Sequence, residues 1–434
     1  MKSWKEAFLT YSNPKVYIFL FLGFSCGLPY NLLGYSLSLW MREVGVSLVV
    51  IGFFSLVFLP YSFKFLWAPF VDKVRVPFLW KIGQKKAWAL LFQACLICCI
   101  IGLATYAPNA NSWILPYTIN GEEVQIPVQT FIFAFLTAFF AASQDIVVDS
   151  LRIDTLSKDE LGEASSTYQL GYRLALFVSG AGVIMAPSFV SWRLAYVIVG
   201  LFCLSGMIAV LFVKELPQEP VQNQQLFKQM VVEPFADFMK KNDWLLILIF
   251  IVLYKLCNAV LGRMAMPFYN DVGFTKNQIG LISGTLGPWV TIVGVFIGGV
   301  LVARFNVLKC LFGLGLVEIL TSCAFAFLAW LGNNQTVFVA TIFFDNFVGG
   351  MGGTVFVAFL SGLCSKKYSA TQYALLTSLM AVSVSVVAAR SGVWAEQMGG
   401  YVNFFLYTGV LMIPALVLLL FIMKGQKNED RTLS

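Results

Sequence analysis

Asp145, Asp149 and Arg152 stand at i, i+4 and i+7 in the stretch FFAASQDIVVDSLR, residues 139–152. That spacing gathers two acids and a base on one face of a helix, and Gln144 adds an amide beside them. The stretch closes an apolar run that opens PVQTFIFAFLTA at residue 127. An isolated ionised carboxylate in hydrocarbon is costly, on the order of 3 kcal/mol by insertion scales. It persists where it is paired, wet or protonated, so reversible proton binding is the chemistry open to such a group. At about 1.5 Å per residue, Asp145 lies roughly 10 Å deeper than Arg152, which is expected near the headgroups. Two readings stay open for each: Asp149 with Arg152 as a coupling pair or a helix-end ion pair, and Asp145 as a proton carrier or a structural polar contact. Gln144 either meets a polar ligand or ties its helix to a neighbour.

Other polar groups are embedded in apolar runs. Asp345 and Asn346 sit in TIFFDNFVGG, Lys64 in SFKFLW, and Arg173 in QLGYR after Tyr172. Lys255, Asn258 and Arg263 share one run, and Arg390 lies in another. Asp345 joins Asp145 and Asp149 as a candidate proton site, and Arg173 is a candidate partner for Asp145 across helices. Lys64, Arg173, Lys255, Arg263 and Arg390 supply fixed positive charge suited to an anionic ligand. Asn31, Gln144, Tyr172, Asn258, Asp345 and Asn346 supply polar contacts to it. With 41 Phe, 16 Tyr and 11 Trp, any one aromatic is more often packing than a ligand platform. Glu318 is expected to bond a neighbouring helix.

Several chemistries are excluded. There is no His, so proton transfer runs through carboxylates or lysines. The nine Cys all fall in apolar segments, and Cys95, Cys98 and Cys99 lack the second ligand pair that a metal site needs. No phosphate-binding glycine loop with a following Lys and Ser/Thr is found; neither metal nor cofactor is expected. The net charge of +7 is scattered over short loops, which argues against nucleic acid.

The elements that must hold these groups are membrane helices. Hydrophobic residues make up 59% of the chain and charged ones 12%, half the charge of a soluble protein, so the solvent for most of the chain is a lipid bilayer. Runs of suitable length predict an all-α polytopic membrane protein with spans at 16–39, 49–71, 86–106, 128–151, 164–187, 192–213, 243–268, 279–302, 308–331, 335–360, 371–393 and 402–423. The first run is too long for a signal peptide and is expected to remain as a span. With the N-terminus in the cytoplasm, the loops outside hold only Arg42, Arg193 and Lys276 among the basic residues. That bias predicts both termini inside. Residues 214–242 form the longest polar break, with an amphipathic segment at Phe227–Met239. WMREVGVSLVVIG at 40–52 aligns with FYNDVGFTKNQIG at 268–280, and Pro60 with Pro288 at the same offset. This parallel repeat predicts two six-helix bundles, 1–213 and 243–434, joined by a cytoplasmic linker at 214–242. Such a duplication is the architecture of the major facilitator fold.

The segments GFSCGLPYNLLGYSLSLWMREVG (23–45), LPYSFKFLWAPFVD (59–72), ASQDIVVDSLR (142–152) and GYR (171–173), in that order and spacing, resemble the AmpG family of muropeptide permeases over nearly the whole chain. The resemblance implies proton-coupled uptake of N-acetylglucosaminyl-1,6-anhydro-N-acetylmuramyl peptides from periplasm to cytoplasm, in cell-wall recycling. A functional monomer in a bacterial inner membrane is expected. On the family pattern Gln144, Asp145 and Asp149 match positions tied to transport. Asp72 and Lys73, with Arg152, fall where a gate is expected. Lys85 and Lys86 in IGQKKAW replace the superfamily's Gly-Arg-Arg cluster, keeping the charge without the Arg fork. The alternatives are a related carrier of another anionic cargo such as acetyl-coenzyme A, a membrane enzyme of wall-precursor metabolism, or a non-transporting sensor. Competition by coenzyme A thioesters, chemical conversion of the substrate, and absence of flux would respectively identify them.

Overall fold

The computed structural model describes residues 14–46, 50–51, 54–77, 79–106, 114–119, 122–157, 160–186, 189–215, 232–241, 243–388 and 391–432. Helix α1 (Pro14–Asn31) passes through a π turn, Leu32–Ser36, into Leu37–Glu43. It is followed by α2 (Gln84–Thr105), α3 (Val128–Thr155) and α4 (Leu161–Phe177). Helix α4 continues through a second π turn, Val178–Gly182, to Met185. Then come α5 (Trp192–Phe202), α6 (Trp244–Asp271), α7 (Gly287–Arg304) and α8 (Val307–Leu331). The chain ends with α9 (Gln335–Leu363), α10 (Ser369–Ala388) and α11 (Tyr401–Thr432). Helices dominate because a backbone in lipid must satisfy its own hydrogen bonds. Their starts are set by short polar side chains: Ser191, Asn306 and Asn334 accept from backbone amides of α5, α8 and α9, as N-caps do.

Among the described residues, nine helices are long and apolar enough to cross a membrane. The expected spans near 49–71, 164–187 and 371–393 fall outside that set for identifiable reasons. Residues 54–73 alternate short helices with tight turns, and Pro60 and Pro69 each start a new short helix; proline cannot continue the one before it. Helix α4 carries GEASSTYQLGYR and is less apolar than its neighbours, and the span expected at 371–393 runs into residues 389–390, outside the described ones. The chain is also not wholly α-helical. Strands β1 (Ile114–Ile119) and β2 (Glu122–Pro127) pair antiparallel, and Asn120-Gly121 between them in the sequence is the hairpin signal that a search for spans passes over. In the linker, the described helix is Glu233–Met239; the remainder of the amphipathic segment at 227–231 lies outside the described residues.

Apolar residues before the linker, such as Leu28, Trp40, Leu96, Ala138 and Tyr196, form one core cluster. Phe250, Tyr254, Leu311, Phe356 and Leu419 form another after it. A third crosses between the two parts of the chain: Ala370 and Ala374 of α10 pack with Val71 and with Val147 and Leu151 of α3. The tightest helix approach is between α1 and α4. A Cβ on Gly171 would overlap the Leu20 carbonyl and stand 2.8 Å from the Phe24 amide, which is backbone that cannot yield. Small residues permit such contact where water gives no driving force between helices. Gly171→Val is therefore expected to lower the thermal midpoint in detergent, with a loss of about 1–3 kcal/mol from overpacking. Gly313→Ala, whose added Cβ would meet nothing within 4 Å, is expected to leave the midpoint unchanged in the same melt.

Candidate functional site

One end of the helix assembly is sealed by buried charge. The Asp72 carboxylate accepts from the backbone amides of Ala370 (3.2 Å) and Thr371 (2.8 Å) and from the Thr371 hydroxyl (2.7 Å). It thereby neutralises the positive end of α10. Lys85 Nζ lies 3.3 Å from Asp72 and 2.5 Å from Asp154, and it donates to Ser369 Oγ at 2.7 Å. Ser369 in turn donates to Asp154 at 2.8 Å. Lys366 Nζ donates to the carbonyls of Asp154 and Leu156. Outside this buried knot, Lys73 Nζ stands 4.8 Å over the Tyr368 ring, and Tyr368 donates to Glu233 of the linker helix. Gln372 donates to Pro234 O and Asp237. Burial, and then the nearby Lys367 ammonium, hold Lys73 below its usual lysine pKa. From the sequence, Lys85 is expected only as a charge of the loop, and Asp154, Ser369 and Thr371 are not expected at all. Their only signal is an acid near a helix end and a Ser-x-Thr at a helix start, each commonplace without its partner.

Arg152, expected near the headgroups and at the gate, belongs to the same seam. It is fully buried, 2.9 Å from Asp149, and its Nη2 donates to Ser361 (3.3 Å) and Tyr373 (3.2 Å). The guanidinium also lies 4.8 Å from the Tyr168 ring centre and 5.5 Å from that of Tyr373. Hydroxyls and ring faces replace the water it gives up. Thus α3 is tied to α9 and α10 through one side chain.

Two turns deeper on α3, Asp145 is held differently. Its Oδ1 is buried with no hydrogen-bond partner among the described residues, and Lys64 exerts the strongest attraction on it. Lys64 is itself buried, on the tight turn Lys64–Leu66, which Trp67 pins to α3 through Ser143 at 3.0 Å. The Cys26 thiol is a further neighbour of Asp145. The Tyr61 hydroxyl, within electrostatic range, is also buried without a partner among the described residues. Gln144 is fully buried and donates to Ser25 Oγ (2.9 Å) and Cys26 Sγ (3.5 Å). Its amide nitrogen ties α3 to α1, one of the two readings left open for it, while its Oε1 is buried without a partner among the described residues.

Two other expected ligand contacts are also ties between helices. Asn31 donates to Leu176 O at 2.8 Å, joining α1 to α4. Asn346 accepts from Thr291 at 3.0 Å, joining α9 to α7, and donates to Ile342 O. Asn258 donates to Glu318 at 3.0 Å, which buries Glu318 against α6 as expected. Lys255 Nζ lies 4.7 Å over the Phe356 ring, under the influence of Glu318. Tyr172, Lys255 and Asp345 are half-buried, and Arg173 is exposed. The expected Arg173–Asp145 pair does not form. Tyr168 and Tyr172 are the α4 residues within electrostatic range of Asp145, and Arg173 projects about 100° further round the helix than Tyr172. Arg263 is exposed toward the far end of α6, and Arg390 lies outside the described residues.

Residues 15–191 match a family model described as acetyl-coenzyme A transporter 1. Over 413 residues the chain is 34% identical to the anhydromuropeptide permease of Escherichia coli, covering 94% of this chain and 80% of that one. It is 32% identical over 423 residues to the Rickettsia felis transporter AmpG 4, covering 95% and 98%. Among solved structures, the major facilitator FucP in its outward conformation superposes with a TM-score of 0.69 at 11% identity, covering 95% of this chain and 99% of that one. The human organic anion transporter MFSD10 gives 0.64 at 14%, covering 93% and 98%. The solved structures carry the fold, and the curated relatives carry the lineage: the chain belongs to the AmpG family of membrane transporters, built on the major facilitator fold.

Proposed function

We propose that this chain is a proton-coupled permease that carries anhydro-muropeptides from the periplasm into the cytoplasm across the bacterial inner membrane. The observation that supports it most is the 34% identity to the Escherichia coli anhydromuropeptide permease over nearly the whole chain. The twelve-span, two-bundle arrangement with a linker at 214–242 fits this reading, with both termini cytoplasmic on the distribution of basic residues. On that orientation the sealed end faces the cytoplasm, so the molecule stands ready to load from the periplasm.

The charges supply a coupling scheme. Lys64, Arg152, Asp145 and Asp149 together are neutral when all are ionised. A proton on Asp145 leaves the group with one positive charge, which favours entry of a carboxylate-bearing cargo. Loss of that proton toward the cytoplasm restores neutrality and weakens the hold on the cargo. Opening toward the cytoplasm requires the Asp72, Lys85–Asp154 and Arg152 contacts with α9 and α10 to part. Exposure to water rehydrates those charges as they separate, so the seam can open without stranding a bare ion.

A second reading keeps the carrier and changes the cargo to a coenzyme A thioester, supported by the family model matched at residues 15–191. Both are anionic. Excess acetyl-coenzyme A is expected not to compete with labelled muropeptide uptake, and strong competition would favour this second reading.

Asp145→Asn is expected to reduce gradient-driven accumulation in vesicles at least tenfold while exchange of cargo across the membrane persists; unaltered accumulation would remove Asp145 from the scheme. Asp72→Asn removes the charge that caps α10. It is expected to lower the thermal midpoint, with a loss of about 1–2 kcal/mol for a missing cap, and to raise cytoplasm-side labelling of a probe at Thr371. Both are read in the same purified preparation.

A further inference from the structure

Glu318 stands near the middle of α8, inside the protein at 2% exposure. Asn258 Nδ2 of α6 donates to its Oε1 at 3.0 Å. A Cβ on Gly352 of α9 would stand 3.0 Å from the same oxygen, so the backbone of α9 closes over the carboxyl. Its Oε2 is buried with no hydrogen-bond partner among the described residues, and no Lys or Arg among them forms an ion pair with it. A tie between two helices needs only an amide, so the Asn258 bond leaves the acid itself unexplained. A lysine is close by. Phe250 meets Phe359 and Tyr254 meets Phe356, with ring centres 5.4 and 5.6 Å apart, so α6 and α9 run antiparallel. One turn back from Asn258 on α6 and one turn on from Gly352 on α9 therefore lead the same way. Both arrive at Lys255, whose Nζ lies 4.7 Å over the Phe356 ring. Lys255 makes no hydrogen bond or ion pair among the described residues, and its flexible stem can swing the one turn to Glu318. Each is the strongest opposite charge acting on the other. The other titratable groups facing Glu318 are engaged or farther off. Tyr254 donates to Leu311 O at 3.0 Å, and Cys257 Sγ lies 3.9 Å from Ser322 Oγ. Asp345 stands two turns from Gly352, roughly 10 Å along α9, and α11 carries no charged residue between Tyr401 and Met423.

We infer that Glu318 is a second proton-binding site of this carrier, and that its proton decides whether the Lys255 ammonium is drawn to Glu318 or left free for an anion. Ionised, Glu318 has one neutral donor in a medium that cannot solvate it, and it needs the lysine. Protonated, it makes no such demand, and Lys255 stays over the Phe356 ring with its charge unanswered. A proton and an anion therefore bind together here, each strengthening the other by the same factor. Loss of the proton turns Lys255 back to Glu318 and loosens the anion. The identity of that anion rests on the muropeptide reading; the proton site does not.

The test uses the full chain in nanodiscs. Infrared difference spectra between mildly acid and alkaline buffer, taken without cargo, are expected to show the carbonyl stretch of a protonated carboxyl that is lost at alkaline pH. Glu318→Gln, which keeps the side chain's size and its contact with Asn258, is expected to lack that band. Lys255→Gln is expected to keep it to higher pH, because the ionised acid then has no cation to meet it. Cargo binding is measured with Asp145→Asn in place, so that the other candidate acid does not titrate. An anhydro-muropeptide with free carboxylates is expected to bind about tenfold more weakly at the alkaline pH. Adding Glu318→Gln is expected to hold the acid-side affinity at both values, and adding Lys255→Gln the weak affinity at both. A Glu318→Gln spectrum that keeps every titrating band, or a binding profile that Glu318→Gln leaves as steep as before, would overturn the inference and return Glu318 to a structural tie. A compound that binds at neither pH would instead count against the muropeptide reading, while the cargo-free spectra still decide the proton site.

Discussion

Charge in a low-dielectric medium has to be answered locally, because water is absent and distance weakens the attraction slowly. That constraint orders the molecule. Where helices from the two parts of the chain meet, Asp72, Lys85, Asp154 and Arg152 are each answered by an opposite charge, a hydroxyl or a helix end. Arg173 and Lys255, by contrast, have no ion pair among the described residues; Arg173 is exposed and Lys255 meets the face of the Phe356 ring. Closed and open regions thus differ in how completely their charges are satisfied, which gives a carrier its handle on conformation.

Helix α3 connects the two regimes. Asp145, with its unanswered oxygen, and Arg152, fixed in the seam, stand on the same continuous helix, Val128–Thr155. A helix transmits displacement along its axis with little loss. A change of charge at Asp145 therefore acts on the same rigid body that Arg152 anchors to α9 and α10. Asp149 lies between them and already neutralises Arg152, so Asp145 is the acid of the three whose partner is least committed.

Amides in this protein serve assembly. Asn31, Gln144, Asn258 and Asn346 each bond across to a neighbouring helix, a use suited to a medium where an unpaired amide is expensive. In the sequence such residues look the same as ligand contacts, since both appear as isolated polar letters in apolar runs. The charged residues are less ambiguous, because a full charge is harder to hide.

The sequence by itself determined that the chain lives in lipid, where most of its long helices fall, that the polar stretch 139–152 matters, and which lineage it resembles. Each of these depends on local composition and order, which hydrocarbon reads directly. Only the tertiary structure decided which polar groups meet. Lys85 finds Asp154 and Ser369 far along the chain, Arg152 finds Tyr373, and Arg173 misses Asp145 because it faces a different way round α4. The interrupted helix at 54–73 and the hairpin at 114–127 were likewise invisible to a search for apolar runs. Periodicity tells which face a side chain occupies, but not which distant face will lie opposite. That pairing is set by how glycine-permitted helix contacts, such as Gly171 on Leu20, turn each helix against its neighbours.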